Sequence, residues 1–529
     1  MPPQATAMPT ATATATDTEV PERAVPKRRE TPRPLRTLVL GFTLLAVSAA
    51  AGAAVRDLSF NASLQETLTD NSSGASGDSD LELVSAASAG TNLRVDGGAT
   101  DGNLGLQLRS LYYHQDSSRN TTFVTGNGLL SSELVRNYLF LDVGGSVSRH
   151  NASAFGVTSV DDIVDGDNRN LVQRYFVSPR LAFGIGSNIR GSASHRITWT
   201  DDEAALDGTR RQMVTSLGLQ SAWSSPLGWS VDYVRTRTSN DPSTGEANLQ
   251  TLRARVSYLL TDRLTAYLTA GREENDFETG EDIRSTIRGA GFDWVLTPRT
   301  RVSAGVEKRF FGTAYNYAVT HSRPLSSVQL SYSRDVRSIE DVEALSLADL
   351  AFRDFFISLA ASIPDPVERA QVASALAASV PNGDSTFVDF VTSSFSVSRR
   401  LSLTGSLVGA HNVLTVAFNR NDNERLGRSD FVQAEDDFAQ FNRIVLTGVS
   451  VALSHRLSGR SAAAANFSVN RSRGAGERSV ETTRRALTLS YNAKIGGHTD
   501  VSASLRRQKA TGSSDFVEHA LVGTVSVSY

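Results

Sequence analysis

Residues 249–258 read LQTLRARVSY and alternate between apolar and polar side chains. The apolar positions are Leu252, Ala254, Val256 and Tyr258, and Thr, Arg and Ser residues stand between them. Alternation with a period of two predicts a β-strand with one apolar face. The same pattern recurs at 264–270, 301–309, 328–332, 487–491 and 501–505. The sequence therefore predicts a chain built from many amphipathic strands.

The connections between these strands separate into two kinds. Short turns are predicted around Pro179, Pro226, Asp262, Pro298, Pro324, His411, Leu457 and Gly497. Longer polar stretches are predicted as loops at 157–170, 236–248, 272–282, 421–430 and 471–483. Short turns on one side and long polar loops on the other are typical of outer-membrane barrels. We predict an all-β fold, a transmembrane antiparallel β-barrel of roughly 20–22 strands, formed by residues 54–529.

The C-terminal stretch 516–529, FVEHALVGTVSVSY, ends on an aromatic residue. Its alternate apolar positions are Val517, Leu521, Val525, Val527 and Tyr529. The pattern resembles the terminal signal that the outer-membrane barrel assembly machinery recognises. Closure of the barrel by this strand would leave no unpaired sheet edge.

The N-terminal 53 residues carry the features of an export signal. Nineteen uncharged residues, Thr37 to Val55, follow a basic, proline-bearing segment and end in Ala51-Gly52-Ala53. This layout predicts a disordered n-region and a cleaved secretory signal peptide within residues 1–53. An uncleaved membrane anchor is the alternative, since the length is marginally sufficient to span a bilayer. The predicted destination is the outer membrane, after signal-peptide-directed export.

Composition narrows the class of protein further. The 529 residues include 53 Lys+Arg against 56 Asp+Glu, a net charge of −3 that argues against a nucleic-acid partner. The absence of Cys excludes disulfides and thiolate sites. A mean hydropathy of −0.21 is low for several helical membrane spans. It agrees with a barrel, in which every second strand residue faces a polar interior.

Residues 336–393 break the alternating pattern. Apolar residues at spacings of three and four predict one helix, and Pro364 and Pro366 end it. Asp365 as N-cap with Pro366 at the first helical position predicts a second helix, which stops at Pro381. This two-helix insert is interpreted either as a plug within the lumen or as a helical cap on an external loop. Both interpretations stay open at this stage.

No motif for catalysis, metal binding or cofactor binding stands out. The eight His are scattered without H-E-x-x-H spacing, and no G-x-S-x-G elbow or phosphate-binding loop occurs. Acidic pairs such as Asp161–Asp162 and Asp436–Asp437 lie in loops already rich in acids, where solvation is the ordinary role. We therefore expect no enzyme, cofactor or metal site.

The polar face of the predicted strands offers a stronger functional hypothesis. Arginine accounts for 49 of the 53 basic residues, and its planar guanidinium suits bidentate contacts with carboxylates and sugar acids. The residues predicted to face the lumen are Arg253, Arg255, Arg301, Glu307 and Arg309. An Arg/Glu ladder that only solvates the interior is the alternative.

Two blocks of the sequence resemble the PEP-CTERM system-associated outer membrane protein family. The first carries an E-T-x-T-D-N segment in Glu66, Thr67, Thr69, Asp70 and Asn71. The second is IPDPVERAQVASAL at 363–376, followed by the strand sequence 394–426. The resemblance covers the chain from about Leu58 to its end. It implies an outer-membrane barrel associated with exosortase and exopolysaccharide loci, with no catalytic residues to assign.

These observations predict a porin-like channel or a component associated with exopolysaccharide export. The alternative is a non-channel structural barrel that binds surface polymer and is plugged by its helical insert, and a barrel hydrolase is the weakest hypothesis. The expected partners are outer-membrane lipid, the barrel assembly machinery, and exopolysaccharide or export-system proteins.

Overall fold

The computed structural model describes the chain from Val55 to Tyr529 with interruptions. The gaps are 75, 78–79, 158–162, 165–167, 203–208, 223–225, 240–245, 277–282, 338–391, 393, 428–431, 433–435, 477–478 and 514. The predicted signal region, 1–53, lies outside the described residues. So does the predicted two-helix insert, apart from its edges, and Val336 and Arg337 at its predicted start belong to a strand.

The described residues form 22 strands, one short α-helical turn and one 3-10 turn. The strands are β1 Val55–Thr69, β2 Glu82–Asp96, β3 Thr100–Tyr113, β4 Thr121–Val135, β5 Leu139–Asn151, β6 Arg169–Ile185, β7 Ile189–Asp202, β8 Thr209–Ser221, β9 Leu227–Ser239, β10 Glu246–Thr261, β11 Leu264–Asn275, β12 Ile283–Thr297, β13 Thr300–Arg309, β14 Gly312–Arg323, β15 Ser326–Arg337, β16 Ser396–Val408, β17 Asn412–Arg425, β18 Phe441–Arg456, β19 Ser461–Gly476, β20 Val480–Lys494, β21 Thr499–Gly512 and β22 Phe516–Ser528. The helical turn is α1, Asp437–Gln440, and a 3-10 turn lies at Ser117–Arg119.

The 22 strands form one closed antiparallel sheet. Each strand pairs with the next in sequence, and β1 pairs with β22 from Asn61 opposite Ser528 to Thr69 opposite Ala520. Closure satisfies the backbone groups that an open sheet would leave unpaired at its edges. The predicted barrel is confirmed, and its strand number falls at the upper end of the predicted range.

The two ends of the barrel differ in their connections. One end of the barrel, here called the turn end, holds the start of β1 and the end of β22. It has ten connections of two to five residues, and the longest is 222–226. The opposite loop end has the long connections, which include 70–81, 152–168, 338–395 and 426–440. The separation is incomplete, because 310–311, 477–479 and 513–515 at the loop end are also short.

Three predicted connections are wrong. More than half of the predicted loop 236–248 belongs to β9, which runs to Ser239, and to β10, which begins at Glu246. Pro179 lies inside β6 rather than in a turn, and the turn follows at 186–188. The pairing of β6 with β7 skips Ser178 and Pro179, so the proline, which has no N–H to donate, lies at a local irregularity of the ladder. The predicted loop 471–483 consists mostly of the ends of β19 and β20. Arg471 and Arg473 bind Glu481 there across the two strands, so the polar stretch is strand and not loop.

The two faces of the sheet are chemically distinct. On one face large apolar side chains are exposed, such as Leu252, Val256 and Leu268 with 48%, 50% and 68% of their surface accessible. The other face is the interior. Thr482 and Arg484 lie on it and donate to the backbone carbonyls of Phe155 and Gly156. These carbonyls belong to the loop after β5, which reaches β20 from several strands away around the barrel. The exposed apolar face is therefore the outside of the barrel. Among the described residues, no helix is long and apolar enough to cross a membrane.

Candidate functional site: the lumen and its loop-end cap

The lumen wall at β10–β13 carries the arginines expected from the sequence. Arg253 on β10 forms an ion pair with Glu307 on β13, with 2.9 Å between Nη2 and Oε2. Arg255, two residues along β10, stacks over the ring of Tyr267 at 4.3 Å from its centroid. Both side chains lie on the face opposite Leu252 and Val256. The register thus places this predicted set on the interior face.

Glycines on β12 and β13 allow these side chains to lie along the wall. A Cβ added at Gly289 would collide with Glu307, and one added at Gly291 or Gly305 would collide with the Tyr267 hydroxyl. The Glu307 carboxylate can therefore cross the wall toward Arg253. A side chain at any of the three glycines would push Glu307 or Tyr267 out of its contact.

Arg309 and Arg301 lie at opposite ends of β13. Near the loop end, the Arg309 guanidinium binds Glu273 at 2.8 Å and Asp335 at 2.5 Å, and Glu273 also accepts a hydrogen bond from the backbone N–H of Phe310. Near the turn end, Arg301 is exposed on the interior face, and no described residue forms an ion pair with it. Arg309 thus has a structural role, whereas Arg301 keeps a free positive charge.

The five predicted lumen residues therefore fall into two groups. Arg253, Glu307 and Arg309 are held in ion pairs. Arg255 and Arg301 face the lumen with no carboxylate partner among the described residues. A guanidinium without a carboxylate partner can attract an anion, whereas a paired one is largely neutralised.

The loop between β5 and β6 crosses the loop end of the barrel. The Phe155 carbonyl accepts hydrogen bonds from Thr482 and from Ser513, the latter at 3.0 Å, and the Gly156 carbonyl accepts one from Arg484. These partners lie on or just beyond β20 and β21, several strands away around the closed sheet. The loop thus covers part of the mouth, and we call residues 152–157 together with α1 the cap.

Asp437 on α1 joins the two parts of the cap. Its carboxylate accepts hydrogen bonds from the Ser153 hydroxyl and the Ala154 N–H, both at 2.7 Å. Burial raises the pKa of Asp437 to about 6, and the neighbouring Asp436 carboxylate also raises it, while the two hydrogen bonds oppose the rise. Desolvation is the largest effect, so the cap holds a carboxylate that titrates in mildly acidic solution.

An apolar cluster lies beneath these polar contacts. Phe155 from the loop packs on Phe441 with 4.9 Å between ring centroids, and Phe438 of α1 is fully buried beside them. A second cluster places Ile163 of the same loop against Tyr113 of β3, whose hydroxyl donates to the Ile163 carbonyl at 2.6 Å. The loop between β5 and β6 is therefore held to both sides of the mouth.

Sequence reasoning did not identify the cap. In the sequence Asp436 and Asp437 stand out only as an acidic pair, whereas in the structure both make structural contacts. Asp436 caps α1 by accepting a hydrogen bond from the Phe438 N–H at 2.9 Å. Phe155 and Phe438 are the residues from which the cap could be predicted, because large aromatic residues in polar loops indicate burial. Among the described residues, no group of three or more His, Asp and Glu could hold a metal ion.

The family-like N-terminal motif lies at the barrel seam, where β1 meets β22. Thr69 donates to Glu518 at 3.1 Å, Asp70 binds the His519 ring at 2.7 Å, and Asn71 donates to the Val517 carbonyl. Thr67 is fully buried on the same interior face as Thr69, and Glu66 accepts from Ser85 on the outer face. The motif is therefore part of the contact that closes the barrel.

The predicted assembly signal lies on the outer face of β22. Val517, Leu521, Val525 and Tyr529 are exposed there, and the register places Val527 with them. The Tyr529 backbone exchanges two hydrogen bonds of 2.9 Å with Phe60. Recognition of this strand by the assembly machinery stays a prediction.

Comparisons with known proteins found similarity to solved structures only. No family model matches the chain, and no curated protein matches it. Among solved structures, a mutant ferric enterobactin receptor (PfeA) from Pseudomonas aeruginosa in complex with enterobactin aligns with TM-score 0.49 and 9% identity, covering 90% of this chain and 82% of the receptor. The FrpB iron transporter from Neisseria meningitidis (F3-3 variant) aligns with TM-score 0.48 and 10% identity, covering 92% and 83%. Similarity at this level carries no argument about what the present chain binds.

Proposed function

We propose that this chain is an outer-membrane barrel whose lumen forms a channel for small anionic solutes or acidic polymer. The observation that carries the proposal is the presence of Arg255 and Arg301 on the interior face without carboxylate partners among the described residues. The outer face supports the membrane location, since its exposed apolar side chains would be a liability in water. In this orientation the loop end faces the cell exterior and the turn end faces the periplasm.

The chemistry of the lumen favours carboxylate-bearing or phosphate-bearing cargo. A guanidinium binds such groups through two parallel hydrogen bonds, and Arg255 is held in a defined position by its stacking on Tyr267. The resemblance to the PEP-CTERM system-associated family supports acidic exopolysaccharide as one such cargo.

A barrel without transport activity is the second candidate function. The observation that favours it is the cap, which ties the loop after β5 to α1 and β20 across the mouth. In that case the loops would present binding surface for extracellular polymer, and the lumen would carry no current.

Planar-bilayer recordings of the purified chain test the proposal. We expect stepwise conductance and, in a KCl gradient, a reversal potential that indicates preference for chloride. Arg255→Gln with Arg301→Gln should move the reversal potential toward zero, because the unpaired cations are lost. Arg253→Gln with Glu307→Gln is the matched control, since it removes a paired cation and its anion together and should leave the selectivity largely unchanged.

Two results would count against the proposal. Absence of conductance from correctly folded protein would favour the second candidate. Conductance with an unchanged reversal potential in the Arg255/Arg301 variant would show that these arginines do not determine selectivity.

A further inference from the structure

The outer face carries a band of basic residues where the apolar surface ends toward the loops. On β16–β21 the basic members are Arg399, Arg420, Arg443, Arg471, Arg473, Arg485, Arg507 and Lys509. The acidic residues at the same level are Asp422, Glu424 and Glu481. Eight cations against three anions give this border of the barrel a strong positive charge.

The opposite border of the same strands has no such charge. The outward positions nearest the turn end include Leu407, Leu414, Ala463, Ala493 and Val501. The positive charge is therefore confined to one end of the apolar band. A general need for solubility would place charge at both ends, so the asymmetry points to a difference between the two membrane surfaces.

Part of the band is neutralised within the protein. Arg471 and Arg473 both bind Glu481, at 2.6 and 2.9 Å. Arg443 binds Asp422 through Nε at 2.6 Å, and Arg399 lies 3.5 Å from the same carboxylate. Arg399 also lies 3.5 Å from Glu424, so all three carboxylates of the band have arginine partners.

The remaining cations are concentrated on β20 and β21. Arg485 and Lys509 are direct cross-strand partners, and Arg507 lies two residues from Lys509 on the same face. All three side chains are exposed, and no described residue forms an ion pair with any of them. Like charges directly opposite each other destabilise a sheet, so the arrangement is unfavourable unless an anion lies between them.

We propose that Arg485, Arg507 and Lys509 bind the phosphate groups of a phosphorylated lipid headgroup in the membrane leaflet at the loop end. Arg485 and Lys509 lie one outward position closer to the loop end than Leu487. Arg507, the cross-strand partner of Leu487, lies one outward position above Leu505. Leu487 and Leu505 are exposed and would contact the acyl chains of the same lipid. Arginine and lysine at this depth gain charge-assisted bonds to phosphate. The cations and the apolar surface together thus fit an anionic lipid rather than a soluble anion.

The inference rests on the membrane placement of the barrel in the proposed function, but not on transport. The test is therefore a binding measurement without current. Full-length folded protein in phosphatidylcholine nanodiscs is titrated with fluorescent diphosphoryl lipid A, and with the same lipid after its phosphates have been removed.

The variant carries Arg485→Gln, Arg507→Gln and Lys509→Gln. We expect its affinity for diphosphoryl lipid A to fall about tenfold or more, because three charge-assisted contacts are lost. A charge-preserving variant, Arg485→Lys with Arg507→Lys and Lys509→Arg, should keep most of the affinity. The matched control removes three cations from turn-end connections, through Arg263→Gln, Arg299→Gln and Arg460→Gln, and should bind as the wild type does.

Three outcomes would overturn the inference. They are unchanged affinity in the glutamine variant, an equal loss in the turn-end control, or equally tight binding of the dephosphorylated lipid. Folding of each variant is checked by its mobility shift on heating in SDS. Loss of conductance with lipid binding intact would contradict the transport proposal alone.

Discussion

At the scale of single residues, a buried ion pair stabilises the seam of the barrel. Arg506 on β21 and Glu518 on β22 are 2.7 Å apart, and their side chains are 3% and 0% exposed. Gln508 and Thr69 also donate to the same carboxylate. One acid therefore links β1, β21 and β22, so its loss would affect closure of the whole sheet.

Glu518→Ala is expected to destabilise the barrel strongly. The change leaves the Arg506 guanidinium buried without its carboxylate, and breaking a buried pair in this way costs about 3–5 kcal/mol. The urea midpoint for unfolding in detergent should fall accordingly. Glu481→Ala is the control, because Glu481 lies on the outer face in exposed ion pairs with Arg471 and Arg473. Equal midpoints for the two variants would contradict this role of Glu518.

The stability of the cap should depend on pH through Asp437. Its pKa is raised from 3.8 to about 6 when the cap is closed, so the closed state binds more protons than an open, solvated state between these values. The free energy of cap closure is therefore most favourable below pH 4. It becomes about 3 kcal/mol less favourable as the pH rises through 6. Hydrogen exchange at the Ala154 amide, corrected for intrinsic rates, should show greater protection at pH 4 than at pH 7.5.

Asp437→Asn provides the control for this pH dependence. The amide does not titrate, so protection of Ala154 should vary little between pH 4 and 7.5. A variant that keeps the wild-type pH dependence would assign the titration to another group.

At the scale of elements, the loop between β5 and β6 is expected to narrow the mouth of the lumen. It is fixed by Asp437, by Arg484 and by the Phe155 cluster, all of which lie at the loop end. Replacing residues 152–167 by a short Gly-Ser turn should raise the single-channel conductance. The same replacement at 240–245, which joins the neighbouring strands β9 and β10, is the control. Equal conductance of all three proteins would show that the cap does not narrow the channel.

The predicted helical insert provides a separate test at this scale. Deletion of residues 340–390 should raise the conductance if the segment is a plug, because the lumen would lose an obstruction. A helical cap on an external loop would leave the conductance unchanged, so that result would reject the plug interpretation.

The direction of strand side chains could be predicted from the sequence, whereas contacts between distant elements could not. Alternation along β10 and β13 identified both faces correctly, since strand geometry fixes side-chain direction residue by residue. The ends of β19 and β20 have the sequence of a loop, because charged residues occupy the part of these strands that lies beyond the apolar band. The cap was missed because Asp437 and Ser153 are 284 residues apart and meet only in the folded barrel. Which arginines are paired likewise depends on neighbours two or three strands away, as with Arg253 and Glu307.

At the scale of the whole molecule, one closed sheet separates an apolar outside from a polar inside. A 22-stranded barrel is wide enough to enclose a lumen that side chains from the wall do not fill. The basic band at the loop end and the uncharged border at the turn end make the two ends of the barrel chemically different. The proposed membrane placement, anion selectivity and lipid binding all depend on this separation of faces.

The absence of Cys allows the separation to be measured directly. Single cysteines at positions 252–258 are spin-labelled, and the protein is reconstituted in liposomes. Electron paramagnetic resonance then compares the accessibility of each label to oxygen, which concentrates in lipid, and to a water-soluble nickel chelate. We predict a period of two, with oxygen favoured at 252, 254, 256 and 258 and the chelate favoured at 253, 255 and 257. Equal access of the chelate to both sets would contradict a membrane-spanning barrel.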